Sequence, residues 1–527
     1  MSKTKSSRGR STKARGAAAG RKSARTTSPR QKSTGSKGRT SNNTAPPVVV
    51  RHYCQGIGDC HLLRFAKSDG SPFFMLIDCG VHSSVSGGNE YIADVVADIG
   101  KVTKHIDVLV LTHEHWDHIS GFYTAAEQFK EFTYGEIWLG WTENPADPQA
   151  RKLDKFKGEA LTALQAASHR LDGTESLSTN LDLVREGLHA ILGFSFGAAG
   201  ERVRAARDAA IALAPNRLKY LEPGIPPIEL DGVPNLRVYV LGPPRDAALI
   251  GITERASEMY GIGGIGGPAL HALNGALGLS EVADDLAAPF EANVGWELDA
   301  LLDEAKESQA PPEMRNFIRE YYAGPATVAP GDHRGSRPSS PQDNDQSWRR
   351  IDSDWLGLSA DLAMQLDNRT NNTSLVLAFE FVKSGRVLLF AADAQVGSWL
   401  SWQNLCWSIA HDTVSGPDLL KRTVYYKVGH HGSHNATLRQ KGLELMSDPD
   451  LSAFIPTNQK DALKVKWGHM PFGAIVEELE RRTSGRVIRA DDSWVHSDII
   501  DPRFGKPSGS LRKVTHQNGL WIEVEVV

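Results

Sequence analysis

Short apolar runs bounded by glycine, proline or aspartate recur along the chain and set its reading. Val48–Tyr53, Cys60–Phe65 and Phe73–Ile77 read as strands, separated by the turn Gln55-Gly56-Ile57-Gly58-Asp59 and by Ser68-Asp69-Gly70. Tyr91–Ile99 has helical spacing, and Asp107–Leu111 and Glu136–Trp141 return to strand character. The pattern then changes. Ala150–His169, Leu181–Leu192 and Ala199–Leu213 are Ala/Leu/Arg-rich with helical periodicity, as are Trp296–Ser308 and Pro312–Tyr322 beyond the strand Leu236–Leu241. Strands resume at Ser374–Val382, Val387–Phe390, Thr423–Val428, Phe454–Pro456, Val487–Ala490 and Trp521–Val527, with a helix at Phe472–Arg482. No segment repeats at a fixed period.

Two stretches interrupt this order. Pro330–Ser347 is polar and rich in Gly, Pro and Ser, and reads as a flexible loop. Gly261–Gly267 contains GxGxxG, but no strand precedes it and no βαβ unit surrounds it. The dinucleotide reading therefore fails, and a loop near the mouth of a site is expected.

Composition adds bounds. A chain of 527 residues, 40% apolar, can build a sizeable core, and no run reaches the ~18–20 apolar residues of a membrane span. The N-terminus has no hydrophobic signal segment, and Cys54, Cys60, Cys79 and Cys406 lack the spacing of a zinc ribbon. Reduced, mostly buried cysteines in a cytoplasmic protein are expected. The net charge of −4 conceals an asymmetry: residues 1–47 carry 13 of the 59 Lys/Arg and none of the 63 Asp/Glu. Such a tail, without aromatic residues, should be disordered, serving either as a phosphate-binding tether to nucleic acid or as a solubilising extension.

The chemistry starts where Val108–Leu111 ends, in Thr112-His113-Glu114-His115-Trp116-Asp117-His118. A lone histidine is usually structural. Three histidines and an aspartate in HxHxDH order at the end of a buried strand repel and desolvate one another unless a cation joins them. His113 and His115 alternate on an extended segment and can face one ion, while Asp117 and His118 can face a second. Further ligands should come from other strand ends. Asp393 follows Val387–Phe390 and suits a bridging carboxylate, although the cap of a helix at Gly397–Trp402 is the competing role. His430 and His431 follow Thr423–Val428 and suit the last histidine.

HxHxDH with a downstream strand-end aspartate and histidine resembles the metallo-β-lactamase superfamily. The chain is more closely similar to the hydrolase domain of ComEC-type DNA-uptake competence proteins and their soluble relatives. Gly56-Ile57-Gly58-Asp59, Asp78-Cys79-Gly80, the pair Asn371-Asn372 before a strand, and His430-His431-Gly432-Ser433 carry that likeness. It covers roughly 48–141, 236–244 and 367–500. The resemblance implies an α+β fold, a four-layer αββα sandwich over residues 48–527. A mostly helical insertion, at about 145–235 and 247–365, would interrupt it, and an unknown protein partner could bind there. The resemblance further implies two divalent ions, Zn²⁺ or Mn²⁺: His113 and His115 on the first, Asp117, His118 and His431 on the second, Asp393 bridging, and Asp78 orienting a ligand histidine. The H-x-S context favours His431 over His430 as ligand, which leaves His430 to face substrate. Lys427, His434 and His469 are the candidate substrate contacts. Where lactamases place a third histidine on the first ion, this chain has Thr370-Asn371-Asn372, which points to a weaker first site or a harder metal.

The function expected is hydrolysis of phosphodiesters, with nucleic acid the favoured substrate and Asp117, Asp393 and His430 as catalytic residues. Two alternatives stand beside it: hydrolysis of a small phosphoester, lactone or thioester, and a metal-stabilised scaffold that binds a partner.

Overall fold

Continuous apolar runs make strands buried on both faces, and such strands need a layer on each side. The computed structural model describes residues 48–173, 179–195, 201–252, 255, 301, 310–322, 354–409, 412–464 and 470–526. The basic tail, the Gly261–Gly267 cluster, the Pro330–Ser347 stretch, His469 and all of Trp296–Ser308 except Leu301 lie outside them.

Sixteen strands are seen among the described residues: β1 Val48–Tyr53, β2 His61–Ala66, β3 Pro72–Ile77, β4 His105–Val110, β5 Thr133–Gly140, β6 Leu218–Leu221, β7 Leu236–Gly242, β8 Val376–Phe381, β9 Arg386–Phe390, β10 Cys406–Ile409, β11 Asp412–Ser415, β12 Thr423–Lys427, β13 Ser452–Ile455, β14 Val487–Arg489, β15 Leu511–Gln517 and β16 Trp521–Val526. One sheet runs β15-β16-β1-β2-β3-β4-β5-β6, antiparallel through β3 and parallel from β3 to β6. The other runs β14-β13-β12-β9-β8-β7, parallel from β14 to β9 and antiparallel beyond. β10 and β11 form a separate hairpin.

The inner faces meet in one core, with Val50, Leu63, Met75 and Val110 opposite Val240, Leu377, Phe379 and Phe390. Each such side chain contributes about 1.5–3 kcal/mol by leaving water. On the outside of the first sheet lie α1 (Gly88–Val102), through Ile92, Val95 and Ile99, and a later helix at Glu201–Ala212, through Val203, Ala206 and Ala210. Helices at Val396–Trp402, Gly416–Lys421 and Gly473–Thr483 cover the second sheet through Trp399, Trp402, Leu420 and Leu479. The layers are αββα, as expected.

Within the inserted region, α2 (Pro148–Asp172), α3 (Thr179–Ser195) and a helix at Leu358–Asn371 share a core of their own around Leu161, Leu164, Leu188, Leu362 and Leu366. Asp147 starts α2 by accepting from the backbone N–H groups of Gln149 and Ala150, with Pro148 as the first helical residue. Not all of the insertion stands apart, since Glu201–Ala212, hereafter α4, and β6 join the first sheet and its outer layer. Hereafter Leu358–Asn371 is α5 and Val396–Trp402 is α6. No helix among the described residues is long and apolar enough to cross a membrane. Cys54, Cys60 and Cys79 are buried free thiols, and Cys406 is exposed.

Candidate metal centre

Parallel strands bring their C-terminal ends to one edge of each sheet, where ligands of α/β folds gather. At that edge β3 delivers Asp78, β4 delivers His113 to His118, β9 delivers Asp393 and β12 delivers His430 and His431. The glycine turns are explained by how closely they pack on this loop. The Asp59 N–H donates to the Asp117 carbonyl at 3.1 Å, Gly80 N–H to the Asp59 carbonyl at 3.0 Å, and Cys79 N–H to the His118 carbonyl at 2.8 Å. A Cβ on Gly80 would lie 2.3 Å from the carbonyl carbon of Asp117. Only glycine fits there.

Four ligand-type side chains converge. His431 Nε2 lies 2.8 Å from Asp117 Oδ2 and 3.7 Å from Asp393 Oδ2, while His118 Nε2 lies 3.1 Å from Asp393 Oδ2 and 3.8 Å from Asp117 Oδ2. All are buried, and their ligand atoms form one cluster able to hold a metal ion. Ligands about 2.0–2.2 Å from one tetrahedral ion stand about 3.3–3.6 Å from each other, and the four distances bracket that range. Asp117 Oδ1 and His118 Nε2 make no hydrogen bond among the described residues. Burying two carboxylates costs several kcal/mol each unless positive charge joins them. That demand shows in the histidines. Burial alone depresses His118, but Asp393 and Asp117 outweigh it and raise its pKa well above the ordinary value; the same balance, led by Asp393, raises His431. The donor set fits a divalent cation.

Neighbours fix the orientation of each ligand. Asp78, at φ 56°, accepts from Thr112 N–H at 2.8 Å and Thr112 Oγ1 at 2.5 Å, and meets His118 Nδ1 at 2.8 Å. His431 Nδ1 donates to the Pro456 carbonyl at 2.7 Å, which turns Nε2 toward Asp117. Gln395, not Asp393, stands at the N-cap position of α6, and its side chain makes no capping hydrogen bond, so Asp393 is no helix cap. Asp393 instead accepts from His430 N–H at 3.0 Å.

His113 and His115 form the neighbouring pair. His113 Nε2 lies 3.1 Å from His115 Nδ1, and the His113 ring is centred 4.2 Å from that of His118. Burial, followed by His118 for His113 and by Lys157 for His115, pushes both well below the ordinary imidazole value, which favours the neutral form that ligates. The two asparagines have separate tasks. Asn372 accepts from Gln395 N–H at 3.1 Å and donates to the Ile250 and Ile252 carbonyls, tying α5 to the second sheet's outer layer. Asn371 faces the site: its Nδ2 is 3.4 Å from His430 Nε2, and its Oδ1 makes no hydrogen bond among the described residues. His430, partly buried and pushed down to about 4 by burial, also touches Gln395 through Nδ1 at 3.3 Å.

The remaining candidates separate from the cluster. Lys427 is buried behind it, with Nζ paired to Asp59 rather than turned to a cleft; His61 stands 3.5 Å from the same carboxylate. Burial raises Asp59, yet Lys427, His61 and His118 hold its carboxyl far below the usual range. A cavity of about 10 Å³, room for about one water, lies between Asp59, His61, Thr112 and Lys427. The ring of His434 is centred 6.3 Å from that of Phe472, in the loop beyond His431. Three features escaped the sequence reading. His82 is pushed down to about 4 by burial and lies within the field of Asp117 and His431. Asp367 approaches His115. Glu114, between the two histidines, pairs with Lys157 of α2 and Arg207 of α4.

A family model, that of the Metallo-beta-lactamase superfamily, matches residues 56–154. The matched stretch holds the Gly56–Asp59 turn, Asp78 and the whole of His113–His118, and ends before Asp393 and His431. A comparison with curated proteins returned no match. Residues 56–154 are thus similar to a metallo-beta-lactamase superfamily domain, a fold whose members are mostly hydrolases holding divalent metals. The narrower likeness to the ComEC-type group has no relative behind it.

Proposed function

We propose that this metallo-beta-lactamase domain is a two-metal hydrolase of phosphodiesters. The observation that carries the reading is the convergence of Asp117 and His118 with Asp393 and His431, from opposite sheets, on one cluster with metal-ligand spacing. His113 and His115 would hold the first ion, Asp117, His118 and His431 the second, and Asp393 both. Bound there, Zn²⁺ or Mn²⁺ would lower the pKa of a water from about 15.7 toward ~7 and neutralise charge building on phosphoryl oxygens.

The chain's own residues supply orientation. Asp117 Oδ1, which has no hydrogen-bond partner among the described residues, can accept a proton from the attacking water. His430, neutral and steadied by Asn371 and Gln395, would offer substrate an imidazole without adding charge. Buried Lys427 braces Asp59 and is left out of substrate contact. His434 and His469 remain candidate contacts. Nucleic acid is the favoured substrate because residues 1–47 offer 13 basic groups for phosphate contacts in a cytoplasmic setting.

A small phosphoester, lactone or thioester is the second reading. It draws on Lys157 and Arg207, which bring the insertion against the metal loop through Glu114 and would narrow the approach. A non-catalytic scaffold is the third. Purified protein supplied with Mn²⁺ or Zn²⁺ is expected to cleave DNA, RNA or bis-p-nitrophenyl phosphate. A wide substrate range with DNA intact would support the small-molecule reading, and inertness toward all of them the scaffold.

A further inference from the structure

Both ring nitrogens of His115 have a neighbour. Nδ1 lies 3.1 Å from Nε2 of His113, and Nε2 lies 3.7 Å from Oδ1 of Asp367. Asp367 is buried on α5, and its Oδ2 accepts from Asn371 Nδ2 at 3.4 Å, one helical turn on. Asp367 takes the place beside His115 that Asp78 takes beside His118, where a carboxylate meets the ring nitrogen turned away from the metal cluster at 2.8 Å; at 3.7 Å Asp367 is within ion-pair distance of His115 but not hydrogen-bonded to it. A histidine that ligates through one nitrogen and donates the other N–H to a carboxylate has its tautomer and ring angle fixed and becomes a stronger ligand.

The geometry points to Asp367 as the positioning residue of His115, so that the first ion's site is set from α5, the helix leading out of the insertion. The inference rests on the two-metal reading above. Its consequence is a division between the two sites. His118 is oriented from β3, inside the sandwich, whereas His115 is oriented from a helix whose apolar face, Leu362 and Leu366, packs on α2 and α3. The residue before it, Glu114, is held by Lys157 and Arg207 from α2 and α4. The insertion thus grips two successive residues of the ligand loop. Affinity for the first ion should follow the insertion, and affinity for the second should not.

The test is a Mn²⁺ titration of the metal-free full chain, followed by calorimetry and electron paramagnetic resonance. Wild type, Asp367→Ala, Asp367→Asn, Asp367→Glu, His115→Ala and the His115→Ala/Asp367→Ala double variant are compared. Wild type should bind two ions. Asp367→Ala and Asp367→Asn should weaken one of them about 10–100-fold and leave the other unchanged. Asp367→Glu should recover part of the loss, and Asp367→Ala should add nothing in the His115→Ala background. Wild-type affinity for both ions in Asp367→Ala, or an equal loss with and without His115, overturns the assignment. A wild-type chain that binds no pair of ions overturns the two-metal reading itself, a result distinct from two ions bound and indifferent to residue 367.

Discussion

His431 and Asp117 stand 314 positions apart in sequence and 2.8 Å apart in space, Nε2 to Oδ2. The contact joins β12 of one sheet to the loop after β4 of the other, and the Pro456 carbonyl at Nδ1 holds it in place. His430, one residue earlier, turns instead to Asn371 and Gln395. His431→Ala should therefore cost one bound ion, whereas His430→Ala should keep both and lose turnover. Metal content by mass spectrometry, set beside kcat, separates the two. Loss of an ion in His430→Ala would reverse the assignment.

Gly80 has no room for a side chain, because an added Cβ would press on the Asp117 peptide. Gly80→Ala should destabilise the fold by about 1–3 kcal/mol and misplace Asp117. Thermal melting and metal affinity should fall together in this variant. A stable Gly80→Ala chain with wild-type metal binding would show that the loop is free to move.

How far these contacts could be read from sequence depended on distance along the chain. His113 to His118 announced themselves because four ligand side chains crowd the end of one apolar run. Asp393 and His431 were legible because each also closes an apolar strand. Asp367 was not, since α5 ends in Asp367-Asn368-Arg369-Thr370-Asn371, a polar stretch that reads as a loop before β8. Its helix is stabilised by packing on α2 and α3, a tertiary contact that local pattern does not carry. Lys427 was expected at substrate because it adjoins the histidine pair, and its partner Asp59 lies 368 positions away. β15 was missed for another reason: Leu511–Gln517 is a charged edge strand with only Leu511 and Val514 buried.

Half-buried Glu143 and buried Glu114 stand together beside Lys157 and Arg207. Burial first, then Glu114, raises the Glu143 pKa above the ordinary glutamate value of 4.5. A carboxyl raised in the folded state binds more protons there than in the unfolded chain, so stability falls as pH rises from about 4.5 through the raised value. Glu143→Gln should match wild type in acid and melt higher than wild type above neutral pH. Parallel melting curves across that range would show that Glu143 is already charged.

Removing residues 1–47 takes away 13 positive charges. If the tail tethers nucleic acid, truncation should weaken DNA binding, flatten its dependence on salt, and leave turnover of bis-p-nitrophenyl phosphate unchanged. Binding isotherms at several salt concentrations measure this. An unchanged salt slope would show that the tail makes no phosphate contacts.

The most direct test is the restoration of phosphodiester hydrolysis in metal-stripped protein as Mn²⁺ or Zn²⁺ is added back, compared with Asp393→Asn. Wild type should show no activity without metal and saturable recovery as metal returns. A folded Asp393→Asn chain should lose about 100-fold or more. Two ions bound with every phosphodiester left intact, or full activity in Asp393→Asn, would contradict it.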